Sequence, residues 1–277
     1  MSETNKKRIA ALAVAALTAA AALALTIAET VVGKDEAPSA FALGTGIAER
    51  ALLFVTFACL LFVFGYARLL VPHLRGGVLA SLAALAVALA NFPFFTLGSG
   101  QLVYTADGSM TALYLLLCLS TGLFEETAFR AFLIPLLSDA FKNRKSSPVL
   151  AVLLSSGIFA LAHFFNLFGG AGVGATLLQV GYTFLTGCMF GALLILTRSV
   201  TAPVIVHALY NAGGLLVSAG LAYGSQWNVP ATVIMAAVSV GAGAYLVFAV
   251  MQRTVFGKTR FLLIDAATRK DDGNSAQ

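Results

Sequence analysis

Charge is what this sequence lacks. Of its 277 residues only 10% are Asp, Glu, Lys or Arg, while 59% are hydrophobic. A soluble domain carries about 25% charged residues, so that class is excluded and the long apolar stretches point to a membrane. Cysteine is scarce as well. Cys59, Cys118 and Cys188 each sit in a different apolar segment, which excludes a disulfide framework and leaves free thiols. The zinc-protease motif HExxH is absent, as are internal repeats and any separate soluble domain. The net charge of +5 is no nucleic-acid footprint. Its basic residues stand at the ends of apolar segments, where orientation signals belong, so the expected partner is the bilayer and not nucleic acid.

Eight apolar segments can be read, at about 9–32, 50–70, 78–97, 111–137, 148–168, 174–197, 200–220 and 229–251. Each approaches or exceeds the ~20 residues a spanning helix needs. The first follows "NKKR" and is rich in alanine, but its apolar run is longer than the core of a signal peptide. Of the 17 Lys and Arg, 14 fall on one side of this arrangement; Lys34 and Arg50 fall on the other, and Arg130 lies within a span. The positive-inside rule then places both termini in the cytoplasm. The expected fold is an all-α membrane protein of about eight transmembrane helices in one bundle. One domain is expected over residues 1–262, with a polar cytoplasmic tail over 263–277. The loop "KNRKSSP" reads as basic and cytoplasmic, and "GGAGVG" at 169–174 as an outer turn.

Against this apolar background five ionisable groups stand well inside spans: Glu125, Glu126, Arg130, His163 and His207. A charge at the bilayer centre costs at least ~3 kcal/mol, so they are expected to face one another or a wet cavity. In "GLFEETAFR", Glu126 and Arg130 are four apart and share a helical face. Glu125 is turned away by about 100°. Glu126 and Arg130 therefore read as a structural ion pair and Glu125 as the reactive carboxylate; a single network holding helices together is the competing reading. In "FALAHFFN", Phe159, His163 and Asn166 can line one face. In "TAPVIVHALYN", His207 and Asn211 share another. Gly187 and Gly191 form a GxxxG pair read as close helix packing, and His73 has no assigned role.

The ordered set "EETAFR", "FALAH" and "HALYN" resembles the CAAX protease and bacteriocin-processing family, also called Abi, to which type II CAAX prenyl endopeptidases belong. Its pattern EExxxR, FxxxH, HxxxN falls here on Glu125, Glu126 and Arg130, on Phe159 and His163, and on His207 and Asn211, within a core of about 111–215. The resemblance implies an intramembrane endopeptidase acting on a membrane-associated or lipidated peptide or protein. It implies that Glu125 activates water beside His163, and that His207 and Asn211 stabilise the oxyanion. Hydrolysis needs such a base and such donors. The expected location is a multi-pass one in the plasma (inner) membrane, with the site open toward the cytoplasm.

Glu125, His163 and His207 match the ligand set of many zinc hydrolases, so a divalent metal stays open beside a metal-free glutamate and water mechanism. Two other classes stay open: a non-catalytic or self-immunity membrane partner on the same fold, and a proton-coupled transporter. Depth poses a difficulty for any shared site. From these span limits His207 lies ~10 Å, Glu125 ~18 Å and His163 ~22 Å from the cytoplasmic edge, at 1.5 Å per residue. Tilt, a shifted boundary or a short helix around 138–147 must bring them level.

Overall fold

A computed structural model describes residues 3–32, 39–73, 77–141, 147–168 and 170–254. The tail at 263–277, Lys34 and residues 142–146 of the basic loop lie outside the described residues. The protein is an all-α membrane protein. Its helices are α1 (Glu3–Val32), α2 (Ala40–Phe64), α3 (Val78–Ala90), the short α4 (Phe94–Gly98), α5 (Gly108–Glu125), α6 (Ile134–Ala140), α7 (Ser147–Ala162), α8 (Val173–Thr197), α9 (Thr201–Gly214) and α10 (Val229–Thr254). A π-helical stretch, Glu126–Leu133, joins α5 to α6 without a break. One antiparallel pair, β1 (Leu102–Tyr104) with β2 (Ala222–Gly224), ties the connections at one end of the bundle.

Local signals place several boundaries. Ser39 caps α2 by accepting from the Ala42 N–H at 3.2 Å. Gly65 ends it in the left-handed region at φ 82°, satisfying the last carbonyls. Asp107 caps α5 through the Met110 N–H at 2.8 Å. The π stretch runs up to Pro135. A proline inside a helix lacks the N–H that would reach back four residues, and its ring crowds that carbonyl. The wider upstream ladder takes up this misfit.

Among the described residues six helices are long and apolar enough to cross a bilayer: Ala40–Phe64, Val78–Gly98, Gly108–Ala140, Ser147–Leu167, Val173–Thr197 and Val229–Gln252. They account for six of the eight segments read from the sequence. The 9–32 segment lies within α1, whose Arg8 sits over the Phe64 ring at 5.0 Å. The 200–220 segment differs from expectation: α9 has 14 residues, ~21 Å of helix against a ~30 Å hydrocarbon core. The 50–70 segment is also corrected. Its helix begins at Ala40, so Glu49 and Arg50 lie within the helix and not at its start. The pair interrupts an apolar run, and that interruption had set the boundary too late.

The bundle is centred on the second half of α8. Leu193, Leu194 and Ile195 are fully buried and Leu196 nearly so, the all-round burial expected of a helix that is apolar on every face. The turn from α8 to α9 is buried too. Arg198 adopts φ 57°, the Thr197 hydroxyl donates to the Leu193 carbonyl at 2.7 Å, and the Val200 N–H donates to the Leu69 carbonyl at 2.9 Å. Thus α9 starts inside the protein, beneath the 3₁₀ turn Ala67–Leu70. This sunken start levels His207 with Glu125 and removes the depth difficulty for that pair.

The GxxxG pair does pack closely. A Cβ on Gly191 would lie 2.8 Å from Val152 Cγ1 of α7, while one on Gly181, on the same helix, would meet nothing within 4 Å. Gly191→Ala is therefore expected to cost about 1–3 kcal/mol through overpacking. Gly181→Ala should be neutral or slightly stabilising, since alanine is the better helix former. Thermal unfolding of the two variants in detergent compares them; equal midpoints would contradict the packing.

Candidate active site

The site grows from one buried cation. Arg130 has a fully buried side chain, and its guanidinium carbon lies 4.2 Å from the Phe159 ring centroid and 5.5 Å from that of Phe190. Its Nε stands 3.3 Å from Glu126 Oε2, close in distance but without hydrogen-bond alignment. The charge is thus met by one carboxylate and by the negative faces of aromatic rings, as cation–π geometry allows. The expected pairing of Glu126 with Arg130 is present.

Glu126 has a second partner that sequence reasoning missed. Its Oε1 lies 2.7 Å from His207 Nδ1. A carboxylate only accepts, so Nδ1 carries the proton and donates. The other ring nitrogen, Nε2, then stands 3.5 Å from Glu125 Oε2. One imidazole is held between two adjacent carboxylates. The divergence of about 100° between neighbouring helical residues lets the two carboxylates close on opposite nitrogens of the one ring. Behind the imidazole the Phe190 ring stacks at 4.8 Å and 17°. Glu125 keeps 20% of its side chain exposed whereas Glu126 keeps none; the first can meet a substrate and the second cannot.

Close approach of α5 and α9 makes this geometry available. A Cβ on Gly122 would lie 2.9 Å from the Val204 carbonyl oxygen and 3.4 Å from the Ala208 N. Gly122 is one turn before Glu126, and Val204 and Ala208 flank His207. Tyr114 adds a tether, its hydroxyl donating to the Asn211 carbonyl at 2.8 Å.

The expected partners divide. Glu125, Glu126, Arg130 and His207 come together directly. His163 does not pair with Glu125; the imidazole beside Glu125 is that of His207. At His163 the α-helix gives way to a 3₁₀ turn, His163–Leu167. Its Nδ1 donates to the Phe159 carbonyl at 2.9 Å, leaving Nε2 as the free ring nitrogen. Its ring meets Phe159 edge-on at 5.0 Å, and Phe159 in turn meets His207 at 6.2 Å. Asn211, one turn beyond His207 on α9, is partly exposed. Asn166 is engaged elsewhere, its amide donating to Gln179 Oε1 of α8 at 2.9 Å. Among the described residues no three His, Cys, Asp or Glu side chains form a cluster that could hold a metal. The zinc set of Glu125, His163 and His207 is not assembled, and no step below is routed through a metal.

This geometry separates the two glutamates experimentally. Glu126→Gln leaves Arg130 buried without its counter-charge, which is expected to cost ~3–5 kcal/mol. Adding Arg130→Met should restore much of that stability without restoring turnover, because the anion that orients His207 is still missing. Thermal unfolding and activity measured on the same preparations test the point; a double variant that regains both would show that Glu126 serves Arg130 alone.

Searches of curated proteins and of solved structures found no match for this chain. Residues 107–213 match the family model described as Type II CAAX prenyl endopeptidase Rce1-like. The matched stretch holds Glu125, Glu126, Arg130, His163 and His207 and stops just after Asn211, so over these residues the chain is similar to that family.

Proposed function

We propose that this protein hydrolyses a peptide bond of a lipidated or otherwise membrane-associated peptide, with Glu125 as the base. One observation carries the reading. The Glu125 carboxylate is partly open and touches an imidazole whose opposite nitrogen is locked on Glu126. Glu125 takes a proton from water as the water attacks the scissile carbonyl, and passes it to the departing amine. His207 shares that proton, and its imidazolium form is stabilised by Glu126 at 2.7 Å. The Asn211 amide, one turn away, supplies N–H donors to the developing oxyanion. His163 orients the water through its free Nε2. The family's printed name refers to CAAX substrates, C-terminal boxes in which a cysteine carries a prenyl group, and we assign this chain to substrates of that kind.

The test compares membranes carrying wild-type protein with membranes carrying Glu125→Gln, at matched expression, by peptide mass spectrometry. Loss of a general base is expected to slow turnover by about 10²–10⁴-fold. Equal product from both would leave the fold as a non-catalytic membrane partner.

The site is assigned to the plasma membrane and opens toward the cytoplasm, with both termini on that side. Arg8, Arg68 and Arg198 lie at one end of the bundle with Phe64, Leu69 and the start of α9. A basic end belongs inside. In a cysteine-free background, His73→Cys should resist an impermeant maleimide applied to intact cells, and Ser225→Cys, beside β2, should react. The opposite pattern would invert the orientation.

A further inference from the structure

Four successive carbonyls at the end of α9 are each met by a side chain from elsewhere in the protein. The Asn91 amide donates to the Tyr210 carbonyl at 2.8 Å. The Tyr114 hydroxyl lies 2.8 Å from the Asn211 carbonyl and 3.0 Å from that of Ala212, and its one proton is shared between them. The Gln226 amide donates to the Gly213 carbonyl at 2.9 Å. The three donors come from the end of α3, from α5 and from the connection between β2 and α10. Asn91 and Tyr114 are buried. Two glycines admit the first of them: a Cβ on Gly214 would lie 2.6 Å from Asn91 Nδ2, and one on Gly213 would lie 2.9 Å from Phe92 Cα. Gln226 is held in turn. The buried Thr96 hydroxyl lies 3.2 Å from the Gln226 carbonyl, and the neighbouring Ser225 N–H donates to the Gln101 carbonyl at 2.9 Å.

A helix end leaves carbonyls without intrahelical partners, and where it is enclosed the protein must supply others. That need does not account for the whole arrangement. The Asn211 carbonyl already accepts the Leu215 N–H at 3.0 Å, and Tyr114 gives it a second donor. What the extra donor fixes is the turn from which the Asn211 side chain departs. That side chain is partly exposed, and among the described residues its amide makes no hydrogen bond. Its position is therefore set chiefly by its backbone. His207, by contrast, is held directly by Glu126 and by the Phe190 ring. An oxyanion donor must stand within about 0.5 Å of its place, which a fraying last turn does not provide. Charge acts in the same direction. The bare carbonyls of a helix C-terminus carry about half a negative charge. An oxyanion forming beside Asn211 would be repelled by them, and donors on those carbonyls reduce the repulsion.

Resting on the endopeptidase reading, we propose that Tyr114 is a positioning residue for the oxyanion donor Asn211, and that Asn91 and Gln226 complete the same clamp. Tyr114 acts on neither substrate nor reacting atoms. It holds the last turn of α9 through the carbonyl of Asn211 itself. The stretch that matches the family model, residues 107–213, includes Tyr114 and Asn211 but neither Asn91 nor Gln226. Segments of this chain that flank the match thus reach in to complete the oxyanion side of the site.

The test uses full-length protein in liposomes and an S-farnesylated peptide ending in Cys-Val-Val-Met. Tyr114→Phe keeps the buried ring and removes one hydroxyl. Its kcat should fall by about three- to tenfold, the worth of a hydrogen bond, with KM unchanged. Asn211→Ala should lower kcat by about 10²-fold or more, and adding Tyr114→Phe to it should cost nothing further. A Tyr114→Phe protein as active as the wild type overturns the proposal. So does a loss by the same factor in both backgrounds, or an Asn211→Ala protein with undiminished kcat. Should Tyr114→Phe fail to fold, Gln226→Met on its partly exposed loop decides: a loss of kcat of about twofold or more, confined to the background that retains Asn211, supports the clamp, and no loss or equal losses sink it. A readout independent of turnover is the side-chain amide resonance of Asn211 in protein labelled with nitrogen-15 asparagine, assigned by its disappearance in Asn211→Ala. Tyr114→Phe should shift or broaden that resonance. If wild-type protein leaves the peptide uncut while the resonance responds, the endopeptidase reading falls and the clamp stands; a resonance indifferent to Tyr114→Phe removes the clamp whatever is cleaved.

Discussion

A guanidinium without access to water is the constraint around which this bundle is arranged. Arg130 has no exposed surface, and an ion of its size is costly to desolvate unless charge and donors are met nearby. Glu126 meets the charge. Phe129, Phe159 and Phe190 surround it with ring faces. Gly187 leaves the room, since a Cβ there would lie 3.3 Å from Arg130 Nη2. These groups come from the π stretch, α7 and α8, so the arginine fixes the mutual placement of three chain segments. Two of the aromatic rings, Phe159 and Phe190, also contact His207. The same packing that tolerates the cation therefore positions the imidazole.

Glu126 couples this structural cluster to the chemistry. It stands between Arg130 and His207, with one oxygen toward each. With Glu125 included, two carboxylates face one permanent cation and one imidazole. A single added proton makes the cluster neutral, whether it resides on His207 or on Glu125. Taking a proton from water thus relieves an excess of negative charge in a low-dielectric setting, and the proton stays within one contact of where it is needed next. Glu125 and Glu126 differ in role through their surroundings alone: one is enclosed, the other reaches a surface.

The fold class and most of the helices were legible because apolar runs of span length have few alternatives. The identity of the site residues was legible for a related reason: ionisable groups in such runs stand out. Their pairing was less so. An α-helical wheel separates Glu125 from Glu126, and it does not show that the two close on opposite nitrogens of one distant imidazole. Asn166 is engaged by Gln179 of α8, a partner thirteen residues on that the local pattern does not encode. The start of α2 was not legible because Glu49 and Arg50 interrupt its apolar run, and the helix begins ten residues before Arg50. The 2.7 Å bond between Glu126 and His207 joins residues 81 apart, and nothing local in the chain encodes it.

The shortness of α9 follows from the same demand for contact. A helix crossing the full core would carry His207 along its own axis to a depth fixed by its first residue. Instead the Thr197 hydroxyl meets the Leu193 and Ser199 carbonyls, the Ser199 hydroxyl accepts the Thr201 N–H, and Leu69 accepts the Val200 N–H. Backbone that would be untenable in lipid is tolerated because it is enclosed by protein. With its polar groups met, the turn can sit within the bundle, α9 can begin there, and His207 reaches the level of the two glutamates less than two turns into the helix. The hydroxyls of an unassuming "LTRSVT" segment are in this sense a condition for the histidine's position, and through it for the proton path between Glu125 and Glu126.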